Sequence, residues 1–354
     1  MPAMNFASDN AAGVAPEILA AIAAANEGSA LAYGNDAWTT RVEARFAELF
    51  EHAVAVFLVP TGTAANALAL AHLTPPWGAV LCHAESHIAT DECGAPEFFG
   101  GGIKLIGLAG AGCKLSAATL ERALAERQWG GPHHVSPAVL SLSQATEAGT
   151  VYRPHEIRRL ADVAHARGLA VHVDGARLAN ALVRMNASPA EATWKAGVDA
   201  LSFGATKGGA LAAEAVLFFD PARGAGMQDR RKRGGALLSK HRFIAAQMEA
   251  YLAGDLWLRL ARHANAMADR LAAGLAAAGF APLWPVEANE VFVALPDGVR
   301  ERLEAAGASF YAWTTQSPPD GITLAANTGL VRLVTSFATT APEVEQFVAM
   351  TAQG

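Results

Sequence analysis

The sequence predicts an α/β protein in which helices cover both faces of a mostly parallel β-sheet, followed by a smaller C-terminal α+β domain. Over residues 16–219, helix-like stretches alternate with short apolar runs, which is the pattern of a parallel sheet. After residue 234 this alternation gives way to two long helical stretches and then to mixed elements. At about 150 residues per domain, a chain of 354 residues also favours two domains. We predict an N-terminal arm at residues 1–15, a large domain at 16–253 and a small C-terminal domain at 254–354.

Six largely apolar runs predict the strands of the large sheet, because strands that are buried on both faces show no strict alternation. They cover residues 53–59, 103–108, 138–142, 169–173, 200–203 and 215–219. A helix is predicted at residues 154–168, which begin with proline, have an amphipathic period and end with glycine. Further helices are predicted at residues 237–252 and 256–278, and a late strand at 330–335.

Residues 53–84 contain no Asp, Glu, Lys or Arg and outnumber the roughly 20 residues that a helix needs to span a bilayer. Pro60 and Gly62 interrupt this stretch early, and Pro75 and Gly78 interrupt it late. We therefore predict a strand, a turn, a helix, a turn and a second strand in place of a membrane span.

The composition predicts a large buried core and disfavours several partners. Hydrophobic residues make up 52% of the chain and charged residues 17%, below the roughly 25% typical of soluble domains. The formal net charge of −6 opposes binding to nucleic acid, which relies on clustered cations. The three cysteines are an odd number without a C-x-x-C pair, and the N-terminus lacks a secretory pattern. We expect a cytoplasmic protein with neither nucleic acid nor a membrane as its partner.

The helix predicted after the first strand begins at a turn that is suited to an anion. The apolar run leads directly into Thr61, Gly62 and Thr63, and unpaired backbone N–H groups at a helix start attract negative charge. The alternative is an ordinary threonine N-cap in front of a core helix. The glycine spacing matches neither G-x-x-x-x-G-K-[ST] nor G-x-G-x-x-G. This segment by itself leaves both interpretations open.

Two charged residues stand where predicted strands end. Asp174 ends an apolar run, where a carboxylate needs a partner to offset burial, and an ion pair with Arg177 is the simple alternative to a function. Lys207 follows a later apolar run among small residues, a setting that favours an uncharged and nucleophilic amine. A lysine whose ammonium group reaches solvent is the alternative here.

The combination of these features is more specific than its parts. Pyridoxal phosphate requires a phosphate cup, an acidic partner for its pyridinium nitrogen and a lysine amine that bonds to it. The helix start near Gly62, Asp174 and Lys207 supply these three in this order along the chain. We therefore predict pyridoxal 5'-phosphate as the cofactor.

Short segments with a characteristic composition are spread over residues 6–337. They are ASDN, AYGND, PTGTAAN, ESHIATDECGAPEFF, SQATEAGTVY, HVDGAR, GATKGG, RRKRGG, SKHRF, PVEANEVF and VRLVTSF. With these segments the chain resembles the L-threonine aldolases, members of the aminotransferase-like (fold type I) superfamily of pyridoxal phosphate enzymes. The low-specificity threonine aldolase and phenylserine aldolase branch is most similar, because SQATEAGTVY stands where other members have a segment such as ENTHNGKV. The resemblance implies a fold type I large domain and a smaller C-terminal domain.

The resemblance also implies a role for each residue of the cofactor site. Lys207 would bond covalently to pyridoxal phosphate, and Asp174 would pair with its pyridinium nitrogen. Gly62 and Thr63 would cradle the phosphate. His87 would stack on the ring and lie near the β-hydroxyl group of the substrate.

The same resemblance implies residues that bind the substrate. Ser8, Arg177 and Arg332 would hold the amino-acid carboxylate, with Arg177 also near the hydroxyl group of the cofactor ring. Tyr33 and Lys240 would complete the site of a neighbouring subunit, Lys240 on the cofactor side. A homo-oligomer is therefore expected, specifically a homotetramer built as a dimer of dimers.

The activity that the resemblance implies is that of an aldehyde-lyase, a class of carbon–carbon lyase. L-Threonine, L-allo-threonine or related L-β-hydroxy-α-amino acids, including phenylserine, would be cleaved into glycine and an aldehyde. Lys207 and His87 would be catalytic, and His87 or a water that it orients would take the hydroxyl proton. Gln144, Thr146 and Glu147 stand near the position where other members have a histidine, which leaves the identity of this base open.

Other interpretations remain beside this one. β-Elimination, or another reaction at Cα, would use the same cofactor site. A metal-dependent hydrolase would use His83 and His87, which are four residues apart and could share a helix face, although no H-E-x-x-H pattern or third ligand stands out. We predict no metal, and the intact Lys207 and Asp174 disfavour a non-catalytic relative.

Overall fold

The computed structural model describes residues 4–315, 318–319 and 324–352, so a few positions of the predicted arm and small domain lie outside the described residues. Strands in this part of the chain form a seven-stranded and a three-stranded sheet. The larger sheet contains β1 (Ala55–Val59), β2 (Gly78–His83), β3 (Lys104–Leu108), β4 (Ser136–Ser143), β5 (Ala170–Gly175), β6 (Ala200–Gly204) and β7 (Glu214–Phe218). The smaller sheet contains β8 (Glu290–Pro296), β9 (Tyr311–Ala312) and β10 (Thr328–Val334).

The α-helices in the described part of the chain connect and cover these two sheets. They are α1 (Pro16–Ala25), α2 (Ala37–Phe50), α3 (Gly62–Leu73), α4 (His87–Thr90), α5 (Ala95–Phe99), α6 (Ala117–Glu126), α7 (Pro154–His165), α8 (Leu178–Met185), α9 (Met227–Arg233), α10 (Arg242–Leu252), α11 (Leu256–Ala277), α12 (Asp297–Ala305) and α13 (Ala341–Thr351).

The large sheet has the strand order β1, β7, β6, β5, β4, β2, β3. The strands from β6 to β3 run parallel, whereas β7 is antiparallel to both β1 and β6. β1 therefore points in the same direction as the parallel strands, and six strands end at one edge. This topology confirms the predicted mostly parallel α/β sheet, and all six predicted strands belong to it.

Burial explains why largely apolar runs form this sheet. β2, β5 and β7 are buried at every position. The helix α3 is apolar around its whole circumference, and residues 65–71 are buried where it packs against β6, β7 and α5. The uncharged stretch at residues 53–84 thus forms β1, α3 and β2, as predicted. Among the described residues, no helix is both long enough and apolar enough to cross a bilayer.

The helix predicted at residues 237–252 begins only at Arg242. Residues 237–241 are not helical, and the Ser239 carbonyl accepts a hydrogen bond from the backbone N–H of Tyr33 at 3.0 Å. The His241 ring packs so closely against Gly34 that a Cβ atom on this glycine would lie 3.3 Å from it. Contacts with a distant segment therefore override helix propensity at this end.

The smaller sheet has the order β8, β10, β9, with antiparallel pairs, and α11 and α12 pack against β8. Phe6 of the N-terminal arm belongs to its core and packs on Phe347, with ring centroids 5.0 Å apart. The carbonyl of Phe6 also accepts a hydrogen bond from the backbone N–H of Val334 at 2.8 Å. The arm therefore lies against the C-terminal sheet, and the division into arm, large domain and small domain stays a prediction.

Candidate active site

A cavity of about 580 Å³ lies where strands of the large sheet end, with Arg332 of β10 on its border. The segments after β1, β2, β4, β5 and β6 all contribute to its lining. Residues that are far apart in the sequence therefore meet at one edge, as is usual at the carboxyl ends of an open α/β sheet. Eight of the predicted site residues border this cavity: Ser8, Gly62, Thr63, His87, Asp174, Arg177, Lys207 and Arg332.

Tyr33 and Lys240 lie outside this cavity, on a shared surface. The backbone of Tyr33 is bonded to Ser239, the residue before Lys240. The Tyr33 side chain is 46% exposed, and the ammonium group of Lys232 lies 4.6 Å from its ring centroid. Lys240 is exposed as well. A single chain thus brings these two residues together but keeps them away from the other eight.

Asp174 is a buried carboxylate whose partners are uncharged. Its Oδ2 atom accepts a hydrogen bond from the Asn66 side-chain amide at 2.8 Å, and its Oδ1 atom accepts one from the Ala176 backbone N–H at 3.0 Å. Only 8% of the residue is exposed. No described residue forms an ion pair with it, so the alternative of a pair with Arg177 is wrong. Since a buried carboxylate favours a cationic partner, the cavity beside Asp174 is suited to one.

Arg177 binds two other carboxylates instead. Its Nε and Nη2 atoms donate to Asp9 at 2.8 and 3.1 Å, and its Nη1 atom lies 3.2 Å from Glu290. Burial alone would raise the pKa of Asp9, but Arg177 and Lys207 together hold this pKa below its usual value. The charge of Arg177 is therefore already offset within the protein.

Arg332 is a half-buried cation that has no ion-pair partner among the described residues. Its guanidinium group lies 4.6 Å from the ring centroid of Trp313 and 5.6 Å from that of Tyr311. Its Nη2 atom donates to the Ala7 carbonyl at 3.4 Å, while its buried Nε atom has no partner in the described part of the chain. Burial lowers the pKa of this guanidinium. An incoming carboxylate would supply the missing partner and could bind it bidentately.

The start of α3 presents unpaired backbone donors to the cavity. Thr61 caps the helix, and its hydroxyl oxygen accepts a hydrogen bond from the Ala64 N–H at 3.1 Å. The N–H groups of Gly62 and Thr63 have no acceptor within the described residues. Both residues border the cavity, and a Cβ atom on Gly62 would meet nothing within 4 Å. This helix start therefore has donors and room for an anion.

Lys207 follows β6 and points its half-buried side chain toward this cavity. It forms neither a hydrogen bond nor an ion pair with any residue that the structure describes. The buried Glu214 lies nearby, and burial raises the pKa of this carboxyl group to about 7 although the charge of Lys207 opposes the shift. Lys207 therefore offers an unengaged amine at the cavity.

A chain of hydrogen bonds connects Asp174 to His87. The Asn66 amide donates both to Asp174 and to Glu92 Oε1, each at 2.8 Å, and Glu92 Oε1 lies 2.9 Å from His87 Nδ1. The bond to Glu92 raises the pKa of His87 and outweighs the opposite effect of burial. The imidazole is therefore held by a hydrogen bond to Glu92, and its protonated form is more stable than in a free imidazole.

Glu147 contacts the backbone of His87. Its Oε1 atom accepts hydrogen bonds from the Ser143 hydroxyl at 2.6 Å and from the His87 backbone N–H at 2.9 Å. Burial raises the pKa of its carboxyl group to about 7. Gln144 and Thr146 are engaged elsewhere, since the Gln144 side chain is bonded to the backbone of Tyr152 and the Thr146 hydroxyl to Thr150.

Comparisons with known proteins identify the family. A family model described as Beta-eliminating lyase matches residues 5–297. The chain belongs to the beta-eliminating lyase family. Low specificity L-threonine aldolase from Pseudomonas aeruginosa is 46% identical over 311 residues, which cover 87% of this chain and 89% of that protein. A low specificity L-threonine aldolase from a Pseudomonas species is 43% identical over 310 residues, with the same coverage.

A solved structure agrees with this membership. The threonine aldolase of Leishmania major has a TM-score of 0.90 with this beta-eliminating lyase at 30% identity, and the match covers 98% of each chain. The predicted resemblance to threonine aldolases, the predicted aminotransferase-like fold class and the predicted lyase class are thereby confirmed.

The residues of this beta-eliminating lyase fit pyridoxal phosphate. Asp174 is a buried carboxylate without a cationic partner among the described residues, and a pyridinium N–H would supply one. The free N–H groups at Gly62 and Thr63 suit a phosphate, and the amine of Lys207 suits an aldehyde.

The metal pair of the hydrolase alternative is not formed. Among the described residues, His83 groups with Glu85 and Cys113, whereas His87 groups with Glu92 and Asp174. His83 ends β2 and His87 starts α4, so a turn separates them and they share no helix face. Both ring nitrogens of His83 already have hydrogen-bond partners, the Glu85 backbone N–H and the Gly110 carbonyl.

Sequence reasoning assigned no role to several polar residues that build this lyase site. The sequence could have pointed to these residues, because each is a polar residue inside one of the segments that resemble the threonine aldolases. They are Asp9 of ASDN, Asn66 of PTGTAAN, Glu92 of ESHIATDECGAPEFF and Glu290 of PVEANEVF. Trp313, beside Arg332, lies in no such segment.

Proposed function

We propose that this protein is a pyridoxal phosphate-dependent L-threonine aldolase of low specificity. It cleaves L-threonine, L-allo-threonine and related L-β-hydroxy-α-amino acids, including phenylserine, into glycine and an aldehyde. The main support is that Asp174, Lys207 and the start of α3 border one cavity together with Arg332, which has no ion pair among the described residues. The similarity to threonine aldolases from Pseudomonas and Leishmania major agrees with this proposal.

Four features of the chain would hold the cofactor. Pyridoxal phosphate, when bound, withdraws electrons from the Cα atom of an amino acid, so that a bond to this carbon can break. Lys207 would bond to it through the side-chain amine, and Asp174 would keep the ring nitrogen protonated. The backbone N–H groups of Gly62 and Thr63 would bind the phosphate, aided by the dipole of α3. His87 would supply an imidazole for the ring.

Arg332 is the main residue for the substrate carboxylate. It has an unpaired buried Nε atom and no ion pair in the described part of the chain, so a carboxylate would satisfy it. Ser8 borders the same cavity and supplies a hydroxyl group. Arg177 contributes less net charge, because Asp9 and Glu290 already offset it.

β-Elimination is the second candidate activity, because the description of the matching family names it. It would share the cofactor-binding residues with the aldolase reaction. The two reactions differ at the β-hydroxyl group, which loses a proton in aldol cleavage and leaves as water in elimination. Their products therefore separate the two candidates.

Replacement of Lys207 tests the proposal. The wild-type protein loaded with pyridoxal phosphate should be yellow, and borohydride should fix the cofactor to Lys207. Lys207→Ala should lose both the trapping and the cleavage of L-allo-threonine. Lys195→Ala is the control, because Lys195 pairs with Glu51 on the surface and should change neither. A colourless Lys207→Ala protein that still cleaves L-allo-threonine would refute the assignment.

We also propose a cytoplasmic homotetramer, a dimer of dimers in which Tyr33 and Lys240 complete the site of a neighbouring subunit. Both residues lie outside the cavity of their own chain, and their sequence neighbours Leu31 and Leu238 are exposed apolar side chains. Exposed apolar groups favour a surface that a partner covers. The three cysteines are free, which agrees with a reducing compartment.

A further inference from the structure

Glu147 borders the cavity with a partly buried side chain to which the proposed function gives no task. We propose that Glu147 accepts the proton of the substrate's β-hydroxyl group when the Cα–Cβ bond breaks. This inference rests on the proposed function. It concerns the base that deprotonates the β-hydroxyl group, for which the sequence favoured His87 or a water molecule that His87 orients.

The Glu147 carboxylate is fixed through one oxygen and unpaired at the other. Oε1 accepts the two hydrogen bonds from Ser143 and His87. Oε2 is shielded from solvent and has no hydrogen-bond partner among the described residues. Because a buried polar atom without a partner is unfavourable, Oε2 is suited to the hydroxyl group of a ligand.

The two bonds to Oε1 come from elements that frame the cavity. Ser143 is the last residue of β4, and His87 is the first residue of α4. The carboxylate is thus held between a strand end and a helix start, on the backbone of the residue whose imidazole is proposed to stack on the cofactor. A group whose position is fixed before the substrate binds is suited to proton transfer.

Two other carboxylates at the cavity, Glu92 and Glu214, have hydrogen-bond partners that indicate roles other than that of the base. Glu92 Oε1 is bonded to the His87 ring and to the Asn66 amide, so Glu92 orients the imidazole, although its Oε2 atom also has no partner among the described residues. Glu214 accepts hydrogen bonds from two backbone N–H groups, at 3.0 and 3.4 Å. The hydrogen bond to Glu92 engages His87 Nδ1 and raises the pKa of the ring, so a larger fraction of His87 is protonated at a given pH, and this fraction cannot accept a proton.

The electrostatics of Glu147 agree with a base. Burial raises its pKa to about 7 despite the hydrogen bonds from Ser143 and His87, and a general base works best with a pKa near the working pH. No cation forms an ion pair with this carboxylate in the described part of the chain. The titratable groups that face it are His87, Asp174, Cys82, Cys113 and Tyr152.

The proposed step is balanced in protons and electrons. The O–H bond of the substrate breaks, and its proton moves to Oε2 of Glu147. The O–H electron pair forms the second bond of the aldehyde carbonyl, while the Cα–Cβ pair stays on Cα until a proton adds there to give glycine. The hydroxyl group loses one proton and glycine gains one, so no oxidant or other reactant is needed.

The test compares two reactions of the same site in the holoenzyme. Cleavage of L-threonine needs a base for the hydroxyl group, whereas exchange of the Cα hydrogen of glycine with deuterium from the solvent involves no hydroxyl. Glu147→Gln should lower kcat for cleavage by about 10²–10⁴-fold, the usual contribution of a general base, and leave the exchange rate within about threefold.

The pH dependence supplies a second readout. Glu147 must be ionised to accept a proton, so kcat/KM for cleavage by the wild type should fall as the pH decreases below about 7. The residual cleavage by Glu147→Gln should lack this fall. Glu147→Asp retains a titrating carboxylate and should keep the fall with a reduced kcat.

Glu85→Gln is the matched control, because Glu85 is half-buried near His87 in the sequence but does not border the cavity. Glu85→Gln should cleave L-threonine and exchange the Cα hydrogen of glycine at the rates of the wild type. The cofactor absorbance of each variant shows whether its site is loaded. Unchanged cleavage by Glu147→Gln, or a parallel loss of cleavage and exchange, would overturn the proposal. If the loaded wild type performs neither reaction, the proposed function itself fails.

Discussion

The guanidinium group of Arg177 forms a bidentate ion pair with the carboxylate of Asp9, with distances of 2.8 Å from Nε to Oδ2 and 3.1 Å from Nη2 to Oδ1. The pair links the N-terminal arm to the segment after β5, 168 positions away in the sequence. Both side chains are largely buried. The position of the arm at the cavity therefore depends on a buried charge pair, and removal of one partner leaves the other charge incompletely compensated.

Asp9→Asn should lower the free energy of unfolding by about 1.5–3 kcal/mol, the range for hydrogen bonds to charged groups. Glu290 remains beside Arg177 and limits the loss. Urea unfolding of the cofactor-free protein measures the change. Asp269→Asn removes the partner of Arg184 at the surface and should cost less than about 1 kcal/mol. Equal effects of the two variants would contradict the role given to the buried pair.

The burial of His172 predicts that the free energy of unfolding depends on pH. The ring is fully buried in β5 between the hydroxyl groups of Ser141 and Ser202, each 2.9 Å from a ring nitrogen. Burial lowers its pKa from 6.5 to about 4. Between these two pH values the unfolded chain binds more protons than the folded one, so stability falls as the pH falls.

His172→Gln does not titrate and should weaken this dependence by up to about 1.4 kcal/mol per pH unit between pH 4 and 6.5. Glutamine keeps groups that can bond to the two serines. The free energy of unfolding of both proteins, measured by urea titration at several pH values, gives the two slopes. Identical slopes would show that His172 is not held neutral.

Glu92→Gln should lower the pKa of His87. The bond to the Glu92 carboxylate favours the protonated ring, and glutamine provides no negative charge to maintain this preference. NMR titration of the His87 ring signals measures the shift. Glu85→Gln serves as the control and should leave the His87 titration in place. An unchanged His87 pKa in Glu92→Gln would mean that the bond is not formed in solution.

Mixing of two inactive variants tests the shared site. Lys207→Ala and Lys240→Ala should each lose activity alone, because each removes a proposed cofactor contact. In mixed dimers one site contains both substitutions and the other neither, so random mixing should restore about a quarter of the wild-type activity. No recovery on mixing would place Lys240 outside the neighbouring site.

The sequence was informative where a residue follows a strand. Asp174 and Lys207 each stand after an apolar run, and the ends of parallel strands meet at one edge of the sheet. Thr61 signals the start of α3 in a similar local way, through its capping hydroxyl. These positions could be predicted because short-range patterns fix them.

The partners of the buried charges could not be predicted in this way. Arg177 has Asp174 three residues before it, yet it binds Asp9, because Asp174 turns toward Asn66 on α3. The bond between His87 and Glu147 spans 60 positions and joins the start of α4 to the segment after β4. Such contacts are set by tertiary packing, which no local pattern encodes.

The products formed from L-threonine test the central claim most directly. Protein loaded with pyridoxal phosphate is incubated with L-threonine, and glycine and acetaldehyde are quantified beside 2-oxobutanoate and ammonia. We expect equal amounts of glycine and acetaldehyde, and their loss in Lys207→Ala. Formation of 2-oxobutanoate and ammonia as the main products, or no consumption of L-threonine, L-allo-threonine and phenylserine, would contradict the assignment of this site to an aldolase.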